Sequence, residues 1–191
     1  MRWALGILTG VAVASALYLT SAAISIDRLV QAARAGNAVE VIERTNMILL
    51  RRSLVDQIIA AYLERTGRKD SPRDRLLAQT YGASIADAML QKMLTAENLT
   101  KLLQTGTIAG PDVSTSLVPD ILSINTSNIG ELLGRVSWVK PVEVFIRTSP
   151  TTDRDSVSGV SLHFEGSDWK LSGINLPKSV TRQLAASLPV K

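Results

Sequence analysis

Apolar and polar positions change rhythm twice along this chain. From Trp3 to Ile26 there are 24 residues without a charge, and 17 of them are apolar. From Asp27 to Gln104 apolar residues recur with the spacing of a helix face. Beyond Arg135 the alternation is that of a half-buried strand. Ile26, Leu29, Val30 and Ala33 share one helical face, and Gly36-Asn37 is a stop. A short amphipathic piece, Ala38 to Arg44, places Val39 and Ile42 inward. The next helix runs from Met47 to about Thr66, with Leu50, Leu54, Ile58, Ala61 and Tyr62 as its inner stripe and Gly67 at its end. After a polar connector, a third long helix starts at Ser71 with Pro72 in its first position. Leu77, Tyr81, Ile85, Met89 and Met93 make its stripe. Thr95 caps a further helix that ends before Gly106.

Residues 106–130 lose all periodicity and read as a long loop rich in Gly, Pro, Ser, Thr and Asn. Arg135 to Lys140 is a strand, interrupted by Pro141. Val142, Val144 and Ile146 alternate against Glu143, Phe145 and Arg147, and Val160, Leu162 and Phe164 against Ser161, His163 and Glu165. Gly166-Ser167-Asp168 is a tight turn into a last strand from Trp169 to about Leu176. Val180, Leu184 and Leu188 predict a final amphipathic helix. Helices followed by hairpins predict an α+β domain: several helices packed on a C-terminal antiparallel sheet of about four strands. The predicted organisation is an N-terminal membrane anchor or signal peptide over 1–26 and an extracytoplasmic domain over 27–191. That domain is helical over 27–105, loop over 106–130, sheet over 131–177, with a C-terminal helix over 178–191.

Composition removes several chemistries. There is no cysteine, which excludes disulfide scaffolds, zinc ribbons and iron–sulfur clusters, and the single histidine, His163, excludes multi-histidine metal sites. Net charge is +4, and the connector residues Arg65, Arg68, Lys69, Arg73 and Arg75, with Asp70 and Asp74, net +3 of it. That cluster reads as a solvated link between helices; without aromatics to stack bases it is a poor nucleic-acid site.

The charge-free run has two readings. About 20 apolar residues at ~1.5 Å each cross a bilayer core, which makes residues 3–26 a membrane contact. Ala14-Ser15-Ala16 is also a small-x-small signal-cleavage pattern. Both place the remainder outside the cytoplasm, because Arg2 and the amino terminus stay on the cytoplasmic side. The expected location is the bacterial inner membrane, single-pass, with the C-terminal domain in the periplasm; the alternative is secretion to the periplasm after cleavage.

Three stretches together resemble a bacterial family known as "domain of unknown function 2939". The first is Asn46-Met47-Ile48-Leu49-Leu50-Arg51-Arg52-Ser53-Leu54-Val55-Asp56-Gln57-Ile58, similar to the family's apolar run leading into Leu-Arg-x-Ser-Leu-x-x-Gln. The second is the capped helix Leu94 to Leu103, and the third is Asp168-Trp169-Lys170-Leu171-Ser172-Gly173-Ile174-Asn175-Leu176-Pro177. The family usually has Asp where Asn46 stands, and Ser-Pro where this chain has Ser21-Ala22. The resemblance implies a membrane-anchored envelope domain and brings no activity and no catalytic residues.

Candidate chemistry is sparse. His163 lies on the polar face of a strand with no positioned partner in the sequence. Asp153 and Asp155 are turn residues rather than a calcium cage. Arg51, beside the apolar stripe, is expected to pair with Glu43 or Glu143, since a buried arginine needs a carboxylate. Trp169 is expected opposite Phe164, and Trp138 against Phe145, as core anchors. Arg51, Trp138, Trp169 and Tyr81 are the candidate binding residues; no catalytic residue, metal ligand or cofactor is expected. The expected function is a non-catalytic envelope protein that binds a partner protein or scaffolds an assembly. The alternative is a carrier or sensor of a lipid or other apolar ligand, held between helices and sheet by analogy with nuclear-transport-factor-like domains. An apolar pocket would favour carriage, a filled core would favour interaction, and a hydrolase would need a polar pocket around His163.

Overall fold

The computed structural model describes residues 2–67, 73, 76, 80, 82–105, 107–110, 113–116, 135–148 and 158–186, with backbone alone for 2–8, 11–17, 19, 107–110, 113–116 and 138. The helices are α1 (Arg2–Arg34), α2 (Ala38–Glu43), α3 (Met47–Arg65), α4 (Ala83–Met93), α5 (Ala96–Thr105) and α6 (Lys178–Ala186). A short antiparallel hairpin joins β1 (Thr107–Gly110) to β2 (Val113–Ser116). The main sheet contains β3 (Val136–Lys140), β4 (Glu143–Arg147), β5 (Gly159–Glu165) and β6 (Asp168–Asn175), antiparallel and in sequence order.

Caps and glycines end the helices. Asn37 and Asn46 accept from the backbone N–H of Glu40 and Leu49 at 3.2 and 3.0 Å, capping α2 and α3. Gly36 and Gly67 close α1 and α3 with φ of 69° and 66°, a conformation costly for other residues. One apolar core joins the layers. Val144, Ile146, Val160, Leu162, Leu171 and Ile174 line the inner face of the sheet. Ile26, Leu29 and Val30 of α1, Leu50, Leu54 and Ile58 of α3, Leu99, Leu102 and Leu103 of α5, and Val180 and Leu184 of α6 complete it.

Three elements differ from the sequence reading. In α2, Val41 is fully buried and Val39 is 69% exposed. The Asn37 cap sets the phase of this six-residue helix and leaves room for one deeply inward side chain. In α4, Ala86 and Leu90 are buried while Ile85 is exposed; a small residue stands on the face that approaches its neighbours. Within the expected loop 106–130, β1 and β2 pair antiparallel, Thr107 opposite Ser116 and Gly110 opposite Val113. The start of the third long helix, the 149–155 loop and Leu188 lie mostly outside the described residues.

Two features fix the last strand. Ser172 is an extra residue between Leu171, which pairs with Leu162, and Gly173, which pairs with Ser161. This bulge resets the alternation, so that both Leu171 and Ile174 point inward. The free edge of β6 is then covered at Leu171 and again from Ile174 to Leu176. Asn46 donates its N–H to the Leu171 carbonyl, and the Leu171 N–H donates to the Arg44 carbonyl, both at 2.8 Å. Further along, Gln57 Nε2 donates to the Ile174 carbonyl at 2.8 Å, and the Leu176 N–H donates to Gln57 Oε1 at 2.9 Å. A loop and one side chain thus do the work of a fifth strand.

α1 runs unbroken past residue 26, and its packing against the domain begins well before that point. Ala22, Ser25 and Ile26 are buried. The Tyr18 ring packs on Trp169 and Phe164 with centroids 5.0 and 5.4 Å apart, and its hydroxyl donates to the Pro141 carbonyl at 2.6 Å. Trp169 and Phe164 face each other across strands at 5.3 Å, as their positions predict. Trp169 Nε1 donates to Ser21 Oγ at 3.0 Å, so this indole is satisfied as well as buried. Among the described residues no helix is long and apolar enough to cross a membrane. The side chains of 2–8 and 11–17, in the charge-free run, lie outside that set.

Candidate functional site

The outer face of the sheet and one side of α3 form a half-open cleft of about 690 Å³. Its helical wall is Leu49, Arg52, Ser53, Asp56 and Gln57, spaced i, i+3, i+4, i+7, i+8, the stripe beside the core-facing one. Its floor is Lys140, Glu143, Ser161, His163, Ser172, Gly173 and Asn175. These come from the outward positions of the alternating strands, with Ser172 contributed by the bulge.

Gly173 allows the helix to lie this close. A Cβ there would come within 3.0 Å of Ser53 Oγ and 3.3 Å of the Ser161 Cβ. Gln57 locks the same approach through its paired bonds to β6.

Its lining is charged with both signs. Arg52 and Asp56 are exposed one turn apart on α3. Lys140 Nζ lies 3.5 Å from Glu143 Oε2 across the β3–β4 turn. Glu143 stands directly opposite His163 in the strand register. Hydroxyls of Ser53, Ser161 and Ser172 fill the space between, and the Ser172 hydroxyl donates to the Ser161 carbonyl at 3.2 Å. The polar pocket around His163 that a hydrolase would need is thus present, while among the described residues no hydrogen bond joins His163 to these hydroxyls. No group of three His, Asp or Glu that could hold a metal ion occurs among them either. What the arrangement offers is ion pairing and hydrogen bonding to a polar, extended ligand.

Of the residues expected to bind, Arg51 and Trp169 lie outside this cleft. Arg51 does not reach Glu43 or Glu143; its Nη1 lies 3.9 Å from Asp87 Oδ1 of α4. The reason is helical phase: Arg51 is one residue round from the cleft stripe and faces the neighbouring helix. Among the described residues no acceptor reaches its buried Nε. Trp169 is 2% exposed on the core side, against α1. Trp138 pairs in register with Val144, and it is Ser137 that stands opposite Phe145, because Pro141-Val142 turns the chain there and the register shifts beside it. Its side chain, and Tyr81 altogether, lie outside the described residues. The cleft residues were present in the sequence as a polar helical stripe and as the polar half of the strand alternation. Only the fold brings the two faces together.

Residues 11–102 match the model of a family described as "Protein of unknown function (DUF2939)". The match includes the whole Asn46 to Ile58 stretch and all but Leu103 of the capped helix. The closing strand lies beyond it, yet Ser53 and Gln57 of the first stretch bind that strand directly. No curated protein and no solved structure matches the chain. Residues 11–102 of this chain are a DUF2939 family domain.

Proposed function

We propose that the protein is a non-catalytic, membrane-anchored envelope protein, and that its domain binds a polar segment of a partner protein in the cleft between α3 and the sheet. The observation that carries this reading is the cleft itself: half open, and lined by Arg52, Asp56, Lys140, Glu143 and His163. Most large apolar side chains among the described residues lie in one core between sheet and helices, and the more apolar cleft of about 660 Å³ beside it, lined by Val55, Ile59, Ala60, Leu63 and Ala83, also carries Arg52 and Asp56. Carriage of an apolar ligand calls for an apolar cavity, and the cleft between α3 and the sheet is mostly polar in its lining residues. The charge-free run behind Arg2 supports a single-pass anchor in the bacterial inner membrane, with the domain in the periplasm.

The test is a photo-reactive amino acid at Ser161, in the full chain produced in bacterial cells. The expected result is one discrete protein adduct, weakened roughly tenfold by Arg52→Glu, as loss of a charged contact predicts. An adduct to lipid, or an apolar molecule that co-purifies in native mass spectrometry, would replace this reading by carriage.

A further inference from the structure

We propose that the β3–β4 turn, with Val139 and Val142 on either side of Lys140-Pro141, is a second membrane contact that rests in the interface of the bilayer entered by α1. This rests on the anchor reading above.

Position is the first argument. Tyr18 gathers the turn ends of both hairpins onto α1, through the Pro141 carbonyl on one side and the Phe164–Trp169 pair on the other. Towards the N-terminus the helix leaves the domain: Thr9 and Gly10 are exposed, and a Cβ at Gly10 would meet nothing within 4 Å. The turn therefore lies beside the point where the charge-free helix departs.

Length is the second. From Trp3 to Leu17 there are 15 uncharged residues ahead of the packed segment. They make about 22 Å of helix, against ~30 Å for the hydrocarbon core. The later residues Ala22, Ser25 and Ile26 are buried in protein. With Arg2 held at the far surface, Tyr18 is drawn down to the near interface, and the turn bonded to it goes along. Tyrosine suits that level, with an apolar ring and a polar tip.

Surface chemistry is the third. Val139 and Val142 are 56% and 41% exposed, two of the seven large apolar side chains exposed among the described residues and the pair that flanks a single turn. Pro141 between them is exposed too. The Lys140 side chain is 68% exposed, long enough to reach phosphate while its stem stays apolar. The neighbouring turn carries Glu165, Gly166, Ser167 and Asp168, all exposed. That acidic turn favours water, so the β3–β4 turn leads into the membrane.

The absence of cysteine makes the test direct. The full chain is reconstituted in vesicles of phosphatidylethanolamine and phosphatidylglycerol, with an environment-sensitive fluorophore on Val142→Cys or, as a distant control, on Val39→Cys. The expected result is a blue-shifted Val142→Cys probe quenched roughly twofold or more by lipid-borne nitroxide, with the control unaffected. A chain that floats with vesicles while its Val142→Cys probe emits as in water overturns the second contact and leaves the anchor standing. A blue-shifted probe that lipid-borne nitroxide does not quench assigns the turn to a protein surface, and also overturns it. A chain that does not float overturns the anchor, and the second contact with it.

Discussion

Gln57 gives both ends of its side-chain amide to one stretch of backbone, the Ile174 carbonyl and the Leu176 N–H. Both are strand-edge groups that water would otherwise satisfy poorly beside a packed helix. Gln57→Leu keeps the side chain's bulk and strands both groups, at a cost of about 2–4 kcal/mol, measurable by urea unfolding. A loss below 1 kcal/mol would mean that water reaches this edge. Asn46 has three roles: its side chain caps α3, its backbone N–H binds Leu171, and its Nδ2 donates to Glu165 Oε2 at 2.9 Å. Asp at this position would still cap, but would face Glu165 with a like charge. Asn46→Asp should therefore cost roughly 1 kcal/mol more beside Glu165 than in a Glu165→Gln background, as a double-mutant cycle would measure. Equal costs in the two backgrounds would show that the exposed pair contributes nothing.

At the scale of elements, close approach rather than apolar pattern decides what is tolerated. A Cβ at Gly159 would sit 2.5 Å from the Ile146 carbonyl and collide with the Phe145 ring, inside the β4–β5 pair. Gly159→Ala should lower the melting temperature by roughly 5 °C or more by forcing those strands apart. An unchanged melt would show that β4 and β5 adjust freely. The longer elements were legible because each carries its own punctuation: Asn46 and Gly67 around α3, Thr95 before α5, Gly166 between β5 and β6. The phases of α2 and α4 were not. Six residues give periodicity too little length, and in α4 the inward place goes to Ala86, which pattern reading ranks below Ile85. The bulge at Ser172 had a trace in the sequence, the three-residue step from Leu171 to Ile174. The cleft had none beyond two separate polar faces, since the distance between α3 and β6 depends on Gly173 meeting Ser53.

For the whole molecule, the boundary that composition places after Ile26 is crossed by α1 without a break. Tyr18, Ala22 and Ile26 contribute to the packing, and Trp169 depends on Ser21 for its hydrogen bond. A chain beginning at Leu17 should unfold in one cooperative transition. One beginning at Asp27 should lose on the order of 5 kcal/mol, from exposed apolar surface and an orphaned indole. Circular dichroism melts of the two compare them directly, and equal stability would mean that residues 17–26 add nothing to the fold.

The covering of β6 also sets the order in which the chain becomes stable. The bonds that close its edge join residues 117 to 127 positions apart, and Ser21 and Trp169 are separated by 148. Closing such long loops is slow, and their entropy must be spent before any contact compensates for it. During synthesis the helical half therefore emerges with its apolar stripes uncovered, and it stays that way until nearly the last residue of β6 has appeared. A chain whose closing contacts span so much sequence should refold slowly for its size, in milliseconds to seconds rather than microseconds, as stopped-flow fluorescence of the tryptophans would measure.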